Sequence, residues 1–148
     1  MNRAPALLAA ALLLAAGAAV AQPPVAAAFR IVATDSLPGS TRVVDAEGQA
    51  WFAAPEVLLD QDSFGAATAR PGEGDTWFVD ITMTPDGRDR LAELTMAHKG
   101  ERLGMFIEGK LVAAPEIRAT ITEGRALVTG RFTADEARRI AAGVMGRR

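Results

Sequence analysis

The sequence contains no cysteine and a single histidine, and each scarcity narrows what the protein can do. Without cysteine the chain has no disulfide bond, no thiolate metal site and no cysteine that could carry a lipid anchor. With His98 alone, most pairs of nucleophile and base cannot be built, because histidine is the usual base. His98 is either a general base or metal ligand, or a residue at a helix C terminus, where the dipole favours its charge. We favour the second interpretation.

The charge of the chain is small and mixed in sign. The 16 Lys and Arg residues oppose 18 Asp and Glu residues, which gives a formal net charge of -2 at pH 7. This balance offers no basic face to nucleic acid. Three carboxylate pairs have the residue types of a metal or acid-base site, but helix first turns and loops explain them more simply: Asp60 with Asp62, Asp86 with Asp89, and Asp135 with Glu136. We therefore predict no metal ion and no cofactor.

Long hydrophobic runs are absent except at the N terminus. Asn2 and Arg3 precede an apolar run over residues 4–20, which ends in Ala-Val-Ala before Gln22. This pattern predicts a signal peptide over residues 1–21. The alternative is a retained anchor, because the run approaches the roughly 18 residues that span a bilayer. With the leader removed, the sequence predicts no further membrane span.

The rest of the chain has the size of one domain, and we expect one compact unit over residues 22–148. Its first part, residues 22–74, is strand-rich in pattern and ends in a loop at 70–74, with predicted strands at 29–33, 41–44 and 49–52. Residues 56–69 are ambiguous, because the first half of this segment fits a strand and the second half fits a helical turn.

Residues 75–148 are patterned more clearly. Over 77–83 one predicted strand face is entirely apolar, with Trp77, Val79, Ile81 and Met83, and the other carries Phe78, Asp80 and Thr82. This alternation predicts a strand with one buried face. A helix capped by Thr84 follows, and a last helix begins with a capping box at Thr133. Between the helices, strands are predicted at 103–107, 110–113, 117–121 and 126–131. The expected fold class is α+β, a mostly antiparallel sheet with two main helices packed on one face.

A family resemblance rests on three segments in this second part. Residues 103–117 read LGMFIEGKLVAAPEI, residues 121–125 read ITEGR, and residues 128–137 read VTGRFTADEA. These segments resemble the head part of the first periplasmic region of SecD, a subunit of the protein-export translocase. The resemblance covers most of the chain beyond the leader, and its matching positions are Pro115, Ile117, Ile121, Gly124, Gly130, Phe132, Glu136 and Ala137.

The resemblance implies an extracytoplasmic domain, expected here in the periplasm after secretion across the inner membrane. In SecD this region is thought to contact emerging polypeptide, and movement is driven through transmembrane helices that bear proton-carrying residues. Because the sequence shows no such helices after residue 22, the resemblance does not carry a motor function over. It carries over only a surface that holds polypeptide or docks to a protein partner, which could be the export translocase.

Four large aromatic side chains are the candidates for such a surface, namely Trp51, Trp77, Phe78 and Phe106. If helices cover only one face of the sheet, large apolar groups on the other face would form a binding patch. In this interpretation Phe78 and Phe106 border an apolar cleft. The alternative is that all four side chains pack in the core.

The sequence thus leads to a non-catalytic module that binds polypeptide or an envelope partner and is accessory to protein export. The alternative is a structural or regulatory envelope domain with one dedicated partner and no role in secretion, because a fold does not dictate its function. An enzyme is the third hypothesis, and a hydrolytic activity that is lost in the His98→Ala variant would support it.

Overall fold

The computed structural model describes residues 27–146. The predicted signal peptide over 1–21 and the last two residues lie outside this range. The described chain forms eight strands and two helices, with the following bounds: β1 Ala27–Ala33, β2 Thr41–Val44, β3 Ala50–Ala53, β4 Phe64–Pro71, β5 Trp77–Met83, α1 Pro85–Ala97, β6 Arg102–Ile107, β7 Lys110–Ala113, β8 Arg125–Phe132 and α2 Ala134–Met145.

The strands form two antiparallel sheets. The larger sheet has the spatial order β2-β3-β1-β6-β7, and the smaller one has the order β4-β5-β8. The predicted α+β class is confirmed, but the strands divide between two sheets instead of sharing one. Periodicity along a strand predicts which face is buried, whereas the choice of partner depends on residues far away in the chain. The pairing of Ala27 with Ile107 in the larger sheet is such a contact.

Both helices begin where the sequence predicts. Thr84 caps α1 by accepting a hydrogen bond from the main-chain N–H of Gly87 at 3.2 Å. Thr133 caps α2 by accepting from the N–H of Glu136 at 3.2 Å, and the Glu136 carboxylate accepts from the N–H of Thr133 at 2.9 Å. These two reciprocal bonds are the predicted capping box.

One apolar core joins the two sheets and both helices. The inner face of β5 is buried as its alternation predicts, with Val79 and Ile81 fully buried and Met83 nearly so. The larger sheet adds one face of β1 and β6, and the rest of this core comes from the helices and their flanks, including Leu59, Phe64, Leu91, Leu94, Ile140 and Val144. Residues on both sides of position 75 therefore contribute to the same core.

A second, smaller apolar cluster lies on the opposite face of the larger sheet. Its buried members are Val32, Ala53, Phe106 and Leu111, and Trp51 packs against them. The two edge strands of this sheet, β2 and β7, approach each other. The larger sheet therefore curls around the second cluster.

The structure assigns one segment that the sequence left ambiguous and corrects one predicted strand. The ambiguous segment 56–69 contains a short 3-10 helix, Gln61–Ser63, followed by the start of β4. The strand predicted at 117–121 is wrong, because these residues form a loop. Ile117 exchanges main-chain bonds with Gly100 and Glu101, and the N–H of Ile121 donates to Thr95 Oγ1 at 2.9 Å. The loop is thus tied to the end of α1 and not to a strand.

Candidate functional site

A cleft of about 1260 Å³ opens between the edges of the two sheets. One wall is β7 with the two residues that follow it, and the facing wall is the end of β8. Helix α2 and the turn between β2 and β3 complete the lining. This volume exceeds the roughly 300–1,000 Å³ that is typical of small-molecule sites. The cleft is thus large enough for a macromolecular segment.

An irregularity in β8 shapes the wall opposite β7. Trp77 pairs with Phe132 and Val79 pairs with Val128, so residues 129–131 of β8 stand opposite the single residue Phe78 of β5. All of residues 129–132 line the cleft. Because extra residues in one strand bend it and leave main-chain groups unpaired, residues 129–131 bulge out of the ladder before pairing resumes at Phe132.

Gly130 allows the ring of Phe132 to lie against the backbone of this irregular segment. A Cβ atom at position 130 would come within 2.7 Å of the Phe132 ring, which is closer than atoms of ordinary side chains approach. Both residues line the cleft. A side chain at position 130 would therefore displace the ring and change the shape of this wall.

Hydrogen bonds hold two acidic side chains of the cleft in place. The Trp51 Nε1–H donates to Asp45 Oδ2 at 2.8 Å, and this bond lowers the pKa of the Asp45 carboxyl. The N–H of Thr133 donates to Glu136, and that bond lowers the pKa of the Glu136 carboxyl. Asp45 therefore orients the indole of Trp51, and Glu136 secures the start of α2.

Three basic side chains of the cleft remain unpaired. Lys110 on β7, Arg131 on β8 and Arg139 on α2 line the cleft, and none forms an ion pair with any residue between 27 and 146. The acidic residues Glu47 and Glu108 also line it, in the two hairpin turns. The walls formed by β7, β8 and α2 thus present free positive charge.

Most of the chain matches one family model. Residues 34–146 match the model described as SecDF, P1 head subdomain. The chain belongs to the SecDF P1 head family. The recognition made from the motif segments is confirmed. The P1 head motif positions Pro115, Gly130, Phe132 and Glu136 line the cleft.

Curated relatives and a solved structure agree with this assignment. The chain is 38% identical over 63 residues to the protein translocase subunit SecD of Dictyoglomus turgidum, which covers 43% of the chain and 16% of that protein. It is 34% identical over 109 residues to SecD of Elusimicrobium minutum, which covers 71% of the chain and 22% of that protein. The chain therefore spans less than a quarter of these relatives.

The solved structure shares the fold. It is a SecDF structure described as that of a membrane component that enhances protein export, and the TM-score is 0.65 at 23% sequence identity. The match covers 82% of this chain and 62% of the other. No helix within residues 27–146 is long and apolar enough to cross a membrane.

Four of the eight P1 head motif positions lie away from the cleft. Ile117 is buried in the main core, where its loop meets α1. Gly124 lies against Arg88 of α1, and a Cβ at this position would come within 2.8 Å of that side chain. Ile121 and Ala137 also lie away from the cleft and pack in or against the main core. These four positions serve packing, and the other four of the eight motif positions line the cleft.

The four aromatic residues proposed from the sequence occupy different places in the P1 head. Trp51 lines the cleft. Trp77 is half-buried against the main core, and the Arg138 guanidinium lies 5.2 Å from its ring centroid. Phe78 lies on the outer face of the smaller sheet, and Phe106 is buried in the second cluster of the larger sheet.

The expected cleft between Phe78 and Phe106 is therefore not the one that the structure contains. The two rings belong to different sheets, and neither lines the cleft. Phe106 is only 6% exposed, because the curled larger sheet closes around it. Polypeptide binding by Phe78 stays a prediction, and Phe106 can contribute only from within the fold.

A charged cluster on the outer face of the smaller sheet was missed in the sequence. Asp80 is buried and accepts hydrogen bonds from Arg70 Nε at 3.1 Å and from Arg125 Nε at 2.7 Å. The bonds from Arg125, more than those from Arg70, hold the pKa of the Asp80 carboxyl below its ordinary value. The only signal in the sequence was the position of Asp80 in the middle of the strand predicted at 77–83. Nothing linked it to an arginine on β8.

The remaining candidates for chemistry are dispersed. His98 is the C-cap residue of α1, and its Nδ1 contacts the Glu101 carboxylate. Asp60 caps the short 3-10 helix, and Asp135 pairs with Arg138 at 3.4 Å. Among residues 27–146, no three His, Cys, Asp or Glu side chains are grouped so that they could hold a metal ion.

Proposed function

We propose that this P1 head is a non-catalytic, extracytoplasmic module that holds polypeptide in the cleft and is accessory to protein export. The observation that carries the proposal is that Pro115, Gly130, Phe132 and Glu136 all line one cleft, together with Trp51. These residues shape the walls of a large cleft, whereas a catalytic site would require a grouping of acid, base or nucleophile.

The names of the relatives support the link to export. The two SecD proteins are called translocase subunits, and the SecDF structure is described as that of a component that enhances protein export. Because this chain spans only part of those proteins, their whole activity is not transferred to it. The predicted signal peptide over residues 1–21 supports a location in the periplasm.

Site-specific photocrosslinking in cells tests this proposal. A photoreactive amino acid at Arg139, which is exposed and lines the cleft, is expected to capture many unrelated secreted precursors. The matched control is the same probe at Met96, which is 64% exposed on α1 and does not line the cleft. Equal capture at both positions, or no capture at Arg139, would exclude polypeptide binding in the cleft.

A second candidate function is docking to one folded envelope partner without a role in secretion. The outer face of the smaller sheet favours it, because the exposed Leu127 lies beside the half-buried Phe78 and the arginines that flank Asp80. An apolar residue surrounded by charge is typical of the rim and centre of a protein interface. One repeated partner captured from Leu127, with none captured from Arg139, would favour this function.

A further inference from the structure

We propose that polypeptide is held in the cleft by strand addition, in which an extended segment pairs with the free edge of β7. This inference rests on the proposed function and specifies its mode. In this mode the main chain of the segment pairs with β7, whereas in the alternative mode the cleft contacts only the side chains of the segment. The added segment would extend the larger sheet from five strands to six.

The main chain of β7 is available on one side only. β7 is the last strand of the larger sheet and pairs with β6 alone. No other main-chain bond within the described residues involves positions 110–113. All four residues of β7 line the cleft. The unpaired N–H and C=O groups of an edge strand are a template for another strand, and here that template faces the cleft.

An added strand would separate β7 from the facing wall. Neighbouring strands lie about 4.8 Å apart, whereas Cα atoms of β7 come within 8 Å of Cα atoms in β8, so a strand between them requires the irregular end of β8 to move outward. Trp51 and Phe132 both line this space and offer apolar contacts to alternate side chains of the segment. The cleft therefore supplies main-chain partners as well as pockets, which are the two parts of recognition by strand addition.

The charges of the cleft indicate what the segment carries. Lys110, Arg131 and Arg139 form no ion pair with a described residue, although Arg139 attracts the nearby Glu136 carboxylate. Asp45 and Glu136 are engaged in hydrogen bonds within the fold, and the unpaired Glu47 and Glu108 lie in the two hairpin turns. A carboxylate on the added segment would complement the free positive charge. The expected ligand is an extended, largely apolar polypeptide with an acidic side chain.

A second free edge in the protein provides the internal comparison. β4 is an edge strand of the smaller sheet, and it is longer than β7 and mostly made of small residues. None of its residues lines the cleft. If any exposed edge sufficed, β4 would pair with polypeptide as well as β7 does. If the cleft is required, only β7 will.

The test uses N-methylated peptides with the full chain. The probe is a capped eight-residue peptide of alternating valine and threonine with one central aspartate. Two derivatives are N-methylated at alternate residues, one in each register. Only every second residue of a strand directs its N–H toward a given neighbour. If the peptide pairs with β7 alone, the peptide methylated in one register should therefore bind about tenfold or more weakly, and the peptide methylated in the other register should bind as the unmodified peptide does.

Amide hydrogen exchange locates the added strand. The unmodified peptide is expected to slow exchange in 110–113 and to leave the β4 residues 66–69 unchanged. Loss of binding in both registers, with the same protection of β7, would also support strand addition and would add β8 as a second partner. If both registers are tolerated, or if β4 is protected instead of β7, strand addition at β7 is overturned.

The charge complementarity has its own test. The Arg131→Gln and Arg139→Gln variants are expected to bind the aspartate peptide about two- to fivefold more weakly, and the peptide with asparagine in its place equally well. Arg90→Gln, at an exposed position on α1, is the matched control. Equal losses for both peptides would overturn the acidic preference. If the unmodified peptide does not bind at all, strand addition fails, and crosslinking from Arg139 decides separately whether the cleft holds polypeptide.

Discussion

At the scale of single residues, the ion pairs of Asp80 are the strongest electrostatic feature of the fold. The Asp80 carboxylate is 7% exposed, whereas the side chains of Arg70 and Arg125 are 54% and 58% exposed. A buried carboxylate is stable only when hydrogen bonds replace its lost hydration. The two arginines meet this need without being buried themselves, so they can return to water when the carboxylate is removed.

Removing the charge of Asp80 should therefore destabilise the protein moderately. We expect Asp80→Asn to lower the free energy of unfolding at pH 7 by about 1–2 kcal/mol, because charged hydrogen bonds are lost but no charge is left buried. Urea unfolding measures this difference. Asp89→Asn is the control, since Asp89 is 71% exposed, and its effect should stay within about 0.5 kcal/mol.

The pH dependence of this effect has a defined sign. Because the folded state lowers the pKa of Asp80, its contribution is present above the ordinary aspartate pKa of about 3.9. The contribution is lost as the pH falls through the lower pKa of the folded state. The gap between the wild-type protein and Asp80→Asn should thus close below about pH 4. A gap that persists unchanged at pH 2 would contradict this assignment.

Gly87 is a residue whose importance is steric. A Cβ atom at this position in α1 would lie 2.1 Å from the carbonyl oxygen of Ser63. Replacing a helical glycine by alanine usually stabilises a helix by about 1 kcal/mol. Here we expect Gly87→Ala to lower the free energy of unfolding by about 1–3 kcal/mol, because overpacking outweighs helix propensity. The melting temperature of the Gly87→Ala variant, compared with that of the wild-type protein, reports this loss of stability. Arg90→Ala is the control. A Gly87→Ala variant more stable than the wild-type protein would refute the close contact.

At the scale of elements, the capping box of α2 links the cleft to the core. Thr133 and Glu136 begin the helix, Ile140 and Val144 bury one side of it, and Arg139 lines the cleft. The sequence alone was enough to predict the start and the buried face of this helix. Both depend on neighbours within about one turn, and local chemistry decides such features.

The cap can be tested at this scale. Thr133→Ala removes the hydroxyl that accepts from the N–H of Glu136, and we expect it to cost about 1 kcal/mol of stability. Thr133→Ser keeps an accepting hydroxyl and should cost much less. Chemical denaturation compares the two variants. If both lose the same stability, the contribution of Thr133 comes from its methyl group and not from the cap.

At the scale of the whole molecule, the main core predicts cooperative unfolding. The larger sheet carries Trp51 and the smaller sheet carries Trp77, and these are the only tryptophans in the sequence. Trp51→Phe and Trp77→Phe therefore leave one fluorescent reporter in each sheet. Both sheets and both helices contribute to one core. An added Ile81→Val substitution should therefore lower the free energy of unfolding by about 0.5–1.5 kcal/mol in each single-tryptophan variant. The denaturation midpoints reported by Trp51 and by Trp77 should then fall together.

A shift of the Trp77 reporter alone would show that the sheets unfold separately. The expectation of one compact unit over 22–148 stays a prediction until this is measured. The same holds for the boundary drawn at residue 75 and for the signal peptide over 1–21.

The sequence by itself determined the family, the α+β class and the local elements. Alternation in 77–83, the caps at Thr84 and Thr133 and the motif of 103–137 all act over short distances. Only the tertiary structure decided the rest: the division into two sheets, the burial of Phe106, the bonds between Asp80 and Arg125, and the cleft between β7 and β8. These features arise from contacts between residues far apart in the chain, and periodicity does not encode which distant strand becomes a neighbour.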